Sequence, residues 1–409
     1  MNILHCLAQL PTRTGSGIYY RNLIHQFSRQ TDWKQAGLYG LNSNHTVDWP
    51  ELFQTYPVYF ETDELPFPIA GMSDVMPYRS TIYHEMSPPM IEQWQSGFRQ
   101  QLLQAKRLFK PDVIICHHLW LLCALVREVF PQTYLIGVSH GTDIRQAKQN
   151  PRLWREHVGS LETLDLVLSL SQADRPALEE IYQIPPERIE VFGGAYDPAV
   201  FYPGDSQMRP GRPIRLIYAG KITDAKGTFE LVEAYALARR SIPELELHLV
   251  GRVSGDAKTR IKQLSGDDPT IHLFDVETQT QLAGHLRQSV LFVFPSYYEG
   301  LGLIALEALA SGLHLVSNRL PGLAELLGED LASHPIIRWV ELPELIDLDR
   351  IVAESRRDYV DRLAEALLGQ IRRIRTGCDK QTFPFEQIRR HSWQALSSRL
   401  IRRIEMTKE

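Results

Sequence analysis

Residues 294–312 read FPSYYEGLGLIALEALASG. The apolar run 290–294 is short enough for one strand, Gly300 and Gly302 break the pattern, and 304–310 carry apolar residues at helical spacing. A second apolar run, 314–317, follows at once. Strand, glycine-bearing loop, helix and strand make a βαβ unit, whose two strands lie parallel in one sheet.

The same grammar extends outward in both directions. Strand-like runs stand at 214–219, 245–250 and 271–274, with a helical stretch at 229–240. Nearer the N-terminus, 3–7 is followed by a helical 18–27, 113–116 by 120–129, and 166–170 by 177–182, with further apolar runs at 134–139 and 189–192. The expected fold is α/β, two Rossmann-like doubly wound lobes facing each other across a cleft. Between the two series lies YPGDSQMRPGRP, 202–213, dense in residues that break helix and strand. It divides the chain into an N-terminal domain of 1–203 and a C-terminal domain of 204–390. Trp393, Leu396, Leu400 and Ile404 recur at helical spacing, so 391–409 is expected to be a helix that packs back on the first domain. Prolines and aromatics at 66–68, 77–78 and 87–89 interrupt the alternation, and 61–100 reads as an irregular insertion.

Composition narrows the partners. The 409 residues include 44 Lys and Arg against 49 Asp and Glu, a net charge of -5, so no global positive field gathers nucleic acid. The apolar run 119–126 ends at Arg127, far short of the roughly 20 residues that span a bilayer. The opening MNILHC lacks the basic and apolar blocks of a secretory signal. Cys6, Cys116, Cys123 and Cys378 are scattered, as free thiols of a reducing compartment would be. The expected location is the cytoplasm, with at most peripheral contact at the inner face of the membrane. Lys106-Arg107, with Trp94 and Phe98 read as surface aromatics, is the only candidate for such contact.

Ligands of parallel α/β sheets bind beyond the carboxyl ends of the strands, so the residues just after each strand carry the candidates. Gly15-Ser16-Gly17 open a helix where backbone N–H groups approach an anion. Tyr20 stands where the dinucleotide fingerprint requires Gly or Ala, which disfavours a dehydrogenase. His117, His118, His140 and Asp143 follow later strands and suit hydrogen bonding to sugar hydroxyls, and zinc-ligand spacing is lacking there. Gly220-Lys221 and Lys226-Gly227 bring two ammonium groups to one strand end, suited to a diphosphate. No nucleoside-triphosphatase loop is present. Glu299 and Glu307 flank the backbone of Gly300, Leu301, Gly302 and Leu303 and suit a polyhydroxylated, phosphorylated ligand.

Glu299 to Glu307 resembles the Glu-x7-Glu signature of the retaining GT-B glycosyltransferases of glycosyltransferase family 4, also called group 1. PDVIICH at 111–117, VSHGTD at 138–143, RIEV at 188–191 leading to Asp197 and Phe201, LVG at 249–251, and Pro321-Gly322 with Glu325 agree in order. The resemblance implies a retaining, metal-independent and cofactor-free hexosyltransferase. Its donor would be a UDP- or GDP-sugar and its acceptor a glycan, a lipid-linked sugar or a protein. By the same resemblance Glu299 faces the donor sugar, Glu307 holds the ribose and Gly300 to Leu303 meet sugar and phosphate. Lys221 and Lys226 grip the diphosphate, with Gly220 beside them and Gly17 facing the phosphates. His117 leans over the reacting sugar, with His118 in reserve, and Gly15, His140 and Asp143 are candidate acceptor contacts. Lys221 stands where relatives usually have Arg, and Gly194-Ala195-Tyr196 replace the usual Asn-Gly ahead of Asp197. Two rival readings are a non-catalytic nucleotide-sugar-binding subunit of a transferase complex and a sugar-nucleotide epimerase on the same plan.

Overall fold

A computed structural model describes residues 1–12, 14–204, 213–347, 349–377 and 382–408. The chain forms two units, Met1–Gly193 with Leu396–Glu409, and Gly194–Ala395. The first break falls ahead of the expected linker because Tyr196 and Phe201 are already buried in the second unit's core. Most of that linker, 205–212, and Cys378 lie outside the described residues.

The first unit runs β1 (Asn2–Leu7), α1 (Gly15–Gln30), β2 (Lys34–Asn42), β3 (Gln54–Phe60), β4 (Ala70–Gly71), β5 (Thr81–Ile82) and α2 (Pro88–Leu108). It continues with β6 (Val113–His117), α3 (Leu121–Val129), β7 (Tyr134–Val138), α4 (Thr142–Gln149), α5 (Pro151–His157), β8 (Leu166–Ser169), α6 (Arg175–Tyr182) and β9 (Ile189–Val191). Its parallel sheet is ordered β3-β2-β1-β6-β7-β8-β9, and β4 and β5 form a small separate pair. The β6 strand, VIICH, is buried along its whole length, as a parallel strand covered on both faces must be. Sheet order reverses between β1 and β6, which opens a crevice at their carboxyl ends.

Two expectations for this unit are corrected. The segment 61–100 is not irregular throughout, because 88–100 belong to α2, where prolines at the first helical positions are tolerated. Trp94 and Phe98 are not on the surface. Both are fully buried on the stripe Ile91, Trp94, Phe98, Leu102 and Ala105, with ring centroids 4.4 Å apart. Lys106 Nζ donates to the carbonyl of Val129 at 2.7 Å. Cys6, Cys116 and Cys123 are free and buried.

The second unit runs β10 (Ile214–Ala219), α7 (Thr228–Ser241), β11 (Leu245–Val250), α8 (Gly255–Ser265), β12 (Ile271–Phe274), α9 (Gln279–Arg287), β13 (Leu291–Phe294), α10 (Leu303–Ala310) and β14 (His314–Asn318). Then follow α11 (Pro321–Ala332), β15 (Ile337–Val340), β16 (Leu345–Ile346), β17 (Arg350–Ile351), α12 (Ala353–Thr376), α13 (Phe385–Arg389) and α14 (Trp393–Glu405). The parallel order β12-β11-β10-β13-β14-β15 places the switch point between β10 and β13. Side chains of β10 alternate between two cores: Leu216 and Tyr218 enter one, Ile217 and Ala219 the other. Within this unit the entering and leaving chains are tied together, Tyr196 N donating to His391 O at 3.1 Å and Trp393 N to Tyr196 O at 3.0 Å.

From Leu396 onward α14 belongs to the first unit. Leu400 and Ile404 are fully buried, Arg403 Nε donates to Glu190 Oε1 at 2.7 Å, and Arg399 Nη2 donates to Phe192 O at 2.8 Å. Among the described residues no helix is long and apolar enough to cross a membrane.

Candidate functional site

Gly220 and Lys221 follow β10, and Pro295 to Gly302 follow β13, so the two loops flank the second unit's switch point. The loops are fixed by backbone crowding. A Cβ on Gly227 would lie 2.3 Å from Pro295 O, one on Gly251 1.9 Å from Gly220 O, and one on Gly322 1.9 Å from Gly300 O. Tyr218 Oη donates to Lys221 O at 2.6 Å and Tyr297 N to Ala225 O at 3.2 Å. Asn318 Nδ2 donates to Pro295 O and Ser296 O at 2.9 and 3.0 Å, and its Oδ1 accepts from buried Tyr359 Oη at 2.9 Å.

On this frame Lys226 Nζ donates to Glu299 Oε1 at 2.7 Å and to Tyr298 O at 3.2 Å. Lys221 is exposed, and no ion pair reaches its ammonium among the described residues. Gly302, at φ +69°, caps α10 in the left-handed region and offers no side chain to its first N–H groups. Leu303 and Leu301 pack toward Gly194, where a Cβ would meet Leu303 Cδ2 at 2.8 Å. Glu307 is half-buried in α10, and this burial pushes its carboxyl up to about 8. The structure thus joins Lys226 to Glu299 directly, sets Gly220 and Lys221 at the end of the adjacent strand β10, and continues the Gly300–Gly302 loop into α10, which carries Leu303 and Glu307.

The second group gathers at the first unit's switch point. His117 ends β6, and His118 adopts φ +67°. His117 Nδ1 and His140 Nε2 are 3.0 Å apart, and Thr142 Oγ1 is 3.3 Å from His118 Nδ1. Buried Asp143 accepts from Leu119 N at 2.9 Å, Ser139 Oγ at 3.1 Å and His140 N at 3.2 Å. Burial raises the Asp143 carboxyl and holds His117 and His118 well below the usual imidazole range, and it lowers His140 to about 3. All three rings are neutral, which permits an N–H···N bond between His117 and His140. His117 is wholly covered, under Tyr19 and Tyr20, whereas His140 is only partly buried. The Nε2 atoms of His117 and His118 have no hydrogen-bond partner among the described residues.

Gly15 and Gly17 open α1, and Tyr19 one turn later rests edge-on against His140 at 5.4 Å. Gly17 N is already engaged, donating to the N-cap Thr14 Oγ1 at 3.0 Å. Gln9 was not foreseen: its Nε2 donates to Thr14 Oγ1 at 3.1 Å and its Oε1 accepts from Met72 N at 3.4 Å. Its place two residues beyond β1 was the available signal. The Asn318–Tyr359 latch had a weaker one, a polar residue ending a buried strand.

Two Rossmann-like domains with these sheet orders define the GT-B class of α/β proteins. Residues 205–333 match the family described as Glycosyl transferases group 1, and residues 70–200 match Glycosyltransferase Family 4. A D-inositol 3-phosphate glycosyltransferase of Arthrobacter sp. (strain FB24) is 30% identical over 221 residues, 49% of this chain and 52% of that protein. The chain spans about half the length of the curated relatives it matches. Among solved structures, sucrose-phosphate synthase from Thermosynechococcus elongatus aligns with a TM-score of 0.65 at 16% identity, covering 99% of this chain and 98% of that one. Anabaena Alr3699/HepE, in complex with UDP and glucose, aligns at 0.60 and 14% identity, covering 98% and 99%. These two likenesses show the fold. The chain belongs to the group 1 glycosyltransferases with the GT-B fold.

Proposed function

We propose that this chain is a retaining hexosyltransferase that moves a sugar from a UDP- or GDP-sugar to a hydroxyl of a glycan, a lipid-linked sugar or a protein. The observation that carries the reading is the second unit's switch point, where Lys226 and Glu299 pair at 2.7 Å beside the Gly302-capped helix that bears Glu307. A nucleotide sugar presents a diol, a diphosphate and a hydroxylated ring in that order. Glu307 receives the ribose diol, Lys221, Lys226 and the α10 N–H groups meet the diphosphate, and Glu299 accepts from the sugar hydroxyls.

In the reaction the bond from the anomeric carbon to the phosphate oxygen breaks, leaving negative charge on the diphosphate. Lys221, Lys226 and the helix end stabilise that charge more in the transition state than in the ground state. The acceptor oxygen attacks from the same face, and its proton passes to the departing phosphate oxygen, so the configuration is retained. In the first unit, partly buried His140 is the imidazole that reaches a sugar hydroxyl, and His117 orients it from behind.

The test incubates the full chain with UDP- and GDP-sugars and reads nucleoside diphosphate release and the anomeric configuration of the product by NMR. The expectation is release with retention, depressed about a hundredfold in Lys226→Ala. Donor interconversion without acceptor would assign an epimerase, and donor binding without release under any acceptor would assign an accessory subunit.

A further inference from the structure

Glu246 and His248 stand two apart on β11 and share one face of the sheet, and His272 on β12 is the direct register partner of His248. One ligand atom from each lies within 4.8 Å of the other two. His248 is only 6% exposed, its Nε2 is 3.7 Å from Glu246 Oε2, and its Nδ1 has no hydrogen-bond partner among the described residues. A buried imidazole nitrogen left unpaired is costly and calls for an explanation. His285 on α9 faces the same group, its ring centroid 6.5 Å from that of His248. A cation also stands beside the group: Arg215 Nη2 is 3.4 Å from Glu246 Oε2.

We propose that Glu246, His248 and His272 bind one divalent transition-metal ion of the zinc class. Two imidazoles and a carboxylate form a common three-ligand set for zinc, leaving a fourth position for water or His285. The parallel ladder already fixes the backbone, and tetrahedral bonds of about 2.0–2.1 Å put ligand atoms roughly 3.3 Å apart, which the side chains reach by small rotations. Glu246 lies five residues before Gly251, roughly 16 Å along an extended strand, so this ion stands apart from the donor loops. Its role is to staple β12, the edge strand, to β11.

The test strips the full chain with a chelator and titrates it with Zn²⁺ alone, by calorimetry and by thermal melting, with no sugar nucleotide present. The expected result is one ion per chain and a raised melting temperature. Glu246→Gln and His272→Gln should each weaken binding at least tenfold while the metal-free chain still melts in one cooperative transition. Arg215→Gln, which removes the competing cation, should tighten binding several-fold. The proposal is overturned if Zn²⁺ fails to bind at concentrations below about 100 µM, or if binding survives both ligand substitutions.

Discussion

Glu307 sits in a helix otherwise made of alanine, leucine and isoleucine, and its carboxyl is pushed up to about 8 by burial. Between pH 4.5 and 8 the folded chain therefore holds a proton that the unfolded chain has released, and stability declines as pH rises through that window. Glu307→Gln removes the cost. At pH 8 the variant should be more stable than wild type by roughly 2–5 kcal/mol, the gain vanishing near pH 4.5, and urea unfolding at both pH values reads this. On the proposed reading ribose hydroxyls donate to the ionised carboxyl, so nucleotide affinity should rise from pH 6 to 8 and level off above, with a flat profile in Glu307→Gln. Calorimetry in buffers of different ionisation enthalpy would register the released proton, and a flat wild-type profile would deny Glu307 this role. The sequence singled out this glutamate by its place eight residues after Glu299. Its shifted carboxyl was not legible, because it depends on which neighbours the sheet packs around α10.

At the scale of elements, the loops at the second unit's switch point hold their shape because backbones approach where only glycine fits. Gly322→Ala would drive a Cβ into Gly300 O, 1.9 Å away in the native backbone, and must displace the 299–302 loop. The expected cost is about 2–4 kcal/mol of second-unit stability, with at least a tenfold loss of nucleotide binding. Gly284→Ala on α9, where a Cβ meets nothing within 4 Å, should instead stabilise by about 0.5–1 kcal/mol, and parallel thermal melts separate the two effects. Strands buried on both faces, such as β10, β11 and β13, were legible as short apolar runs. β2 carries two glycines and opens with Lys34-Gln35, and β3 contains Pro57, which its edge position tolerates, so both escaped the apolar pattern. The long helices α2 and α12 were obscured by prolines and by dense charge respectively. The strand-end loops could be read directly, whereas the Asn318–Tyr359 latch, 41 residues apart in sequence, is created by sheet order.

Across the whole molecule, burial leaves His5 at about 4 and His140 and His248 at about 3, and it holds His117 and His118 well below the ordinary value of 6.5. Below pH 6.5 the unfolded chain binds protons that these rings refuse, so their contribution is intact above 6.5 and is lost as pH falls. Melting temperature should drop steeply from pH 6.5 to 5, and the slope should ease in His140→Gln; an unchanged slope would show that this ring takes up its proton in the folded state. The two-unit plan followed from one grammar used twice, and the family match covers most of both halves. The most direct measurement is calorimetric titration of the full chain with UDP- and GDP-sugars, alongside Lys226→Ala and Glu307→Ala. Micromolar binding by wild type, weakened at least tenfold in each variant, is the predicted result; wild-type affinity in both variants, or no binding of any nucleotide sugar, would contradict it.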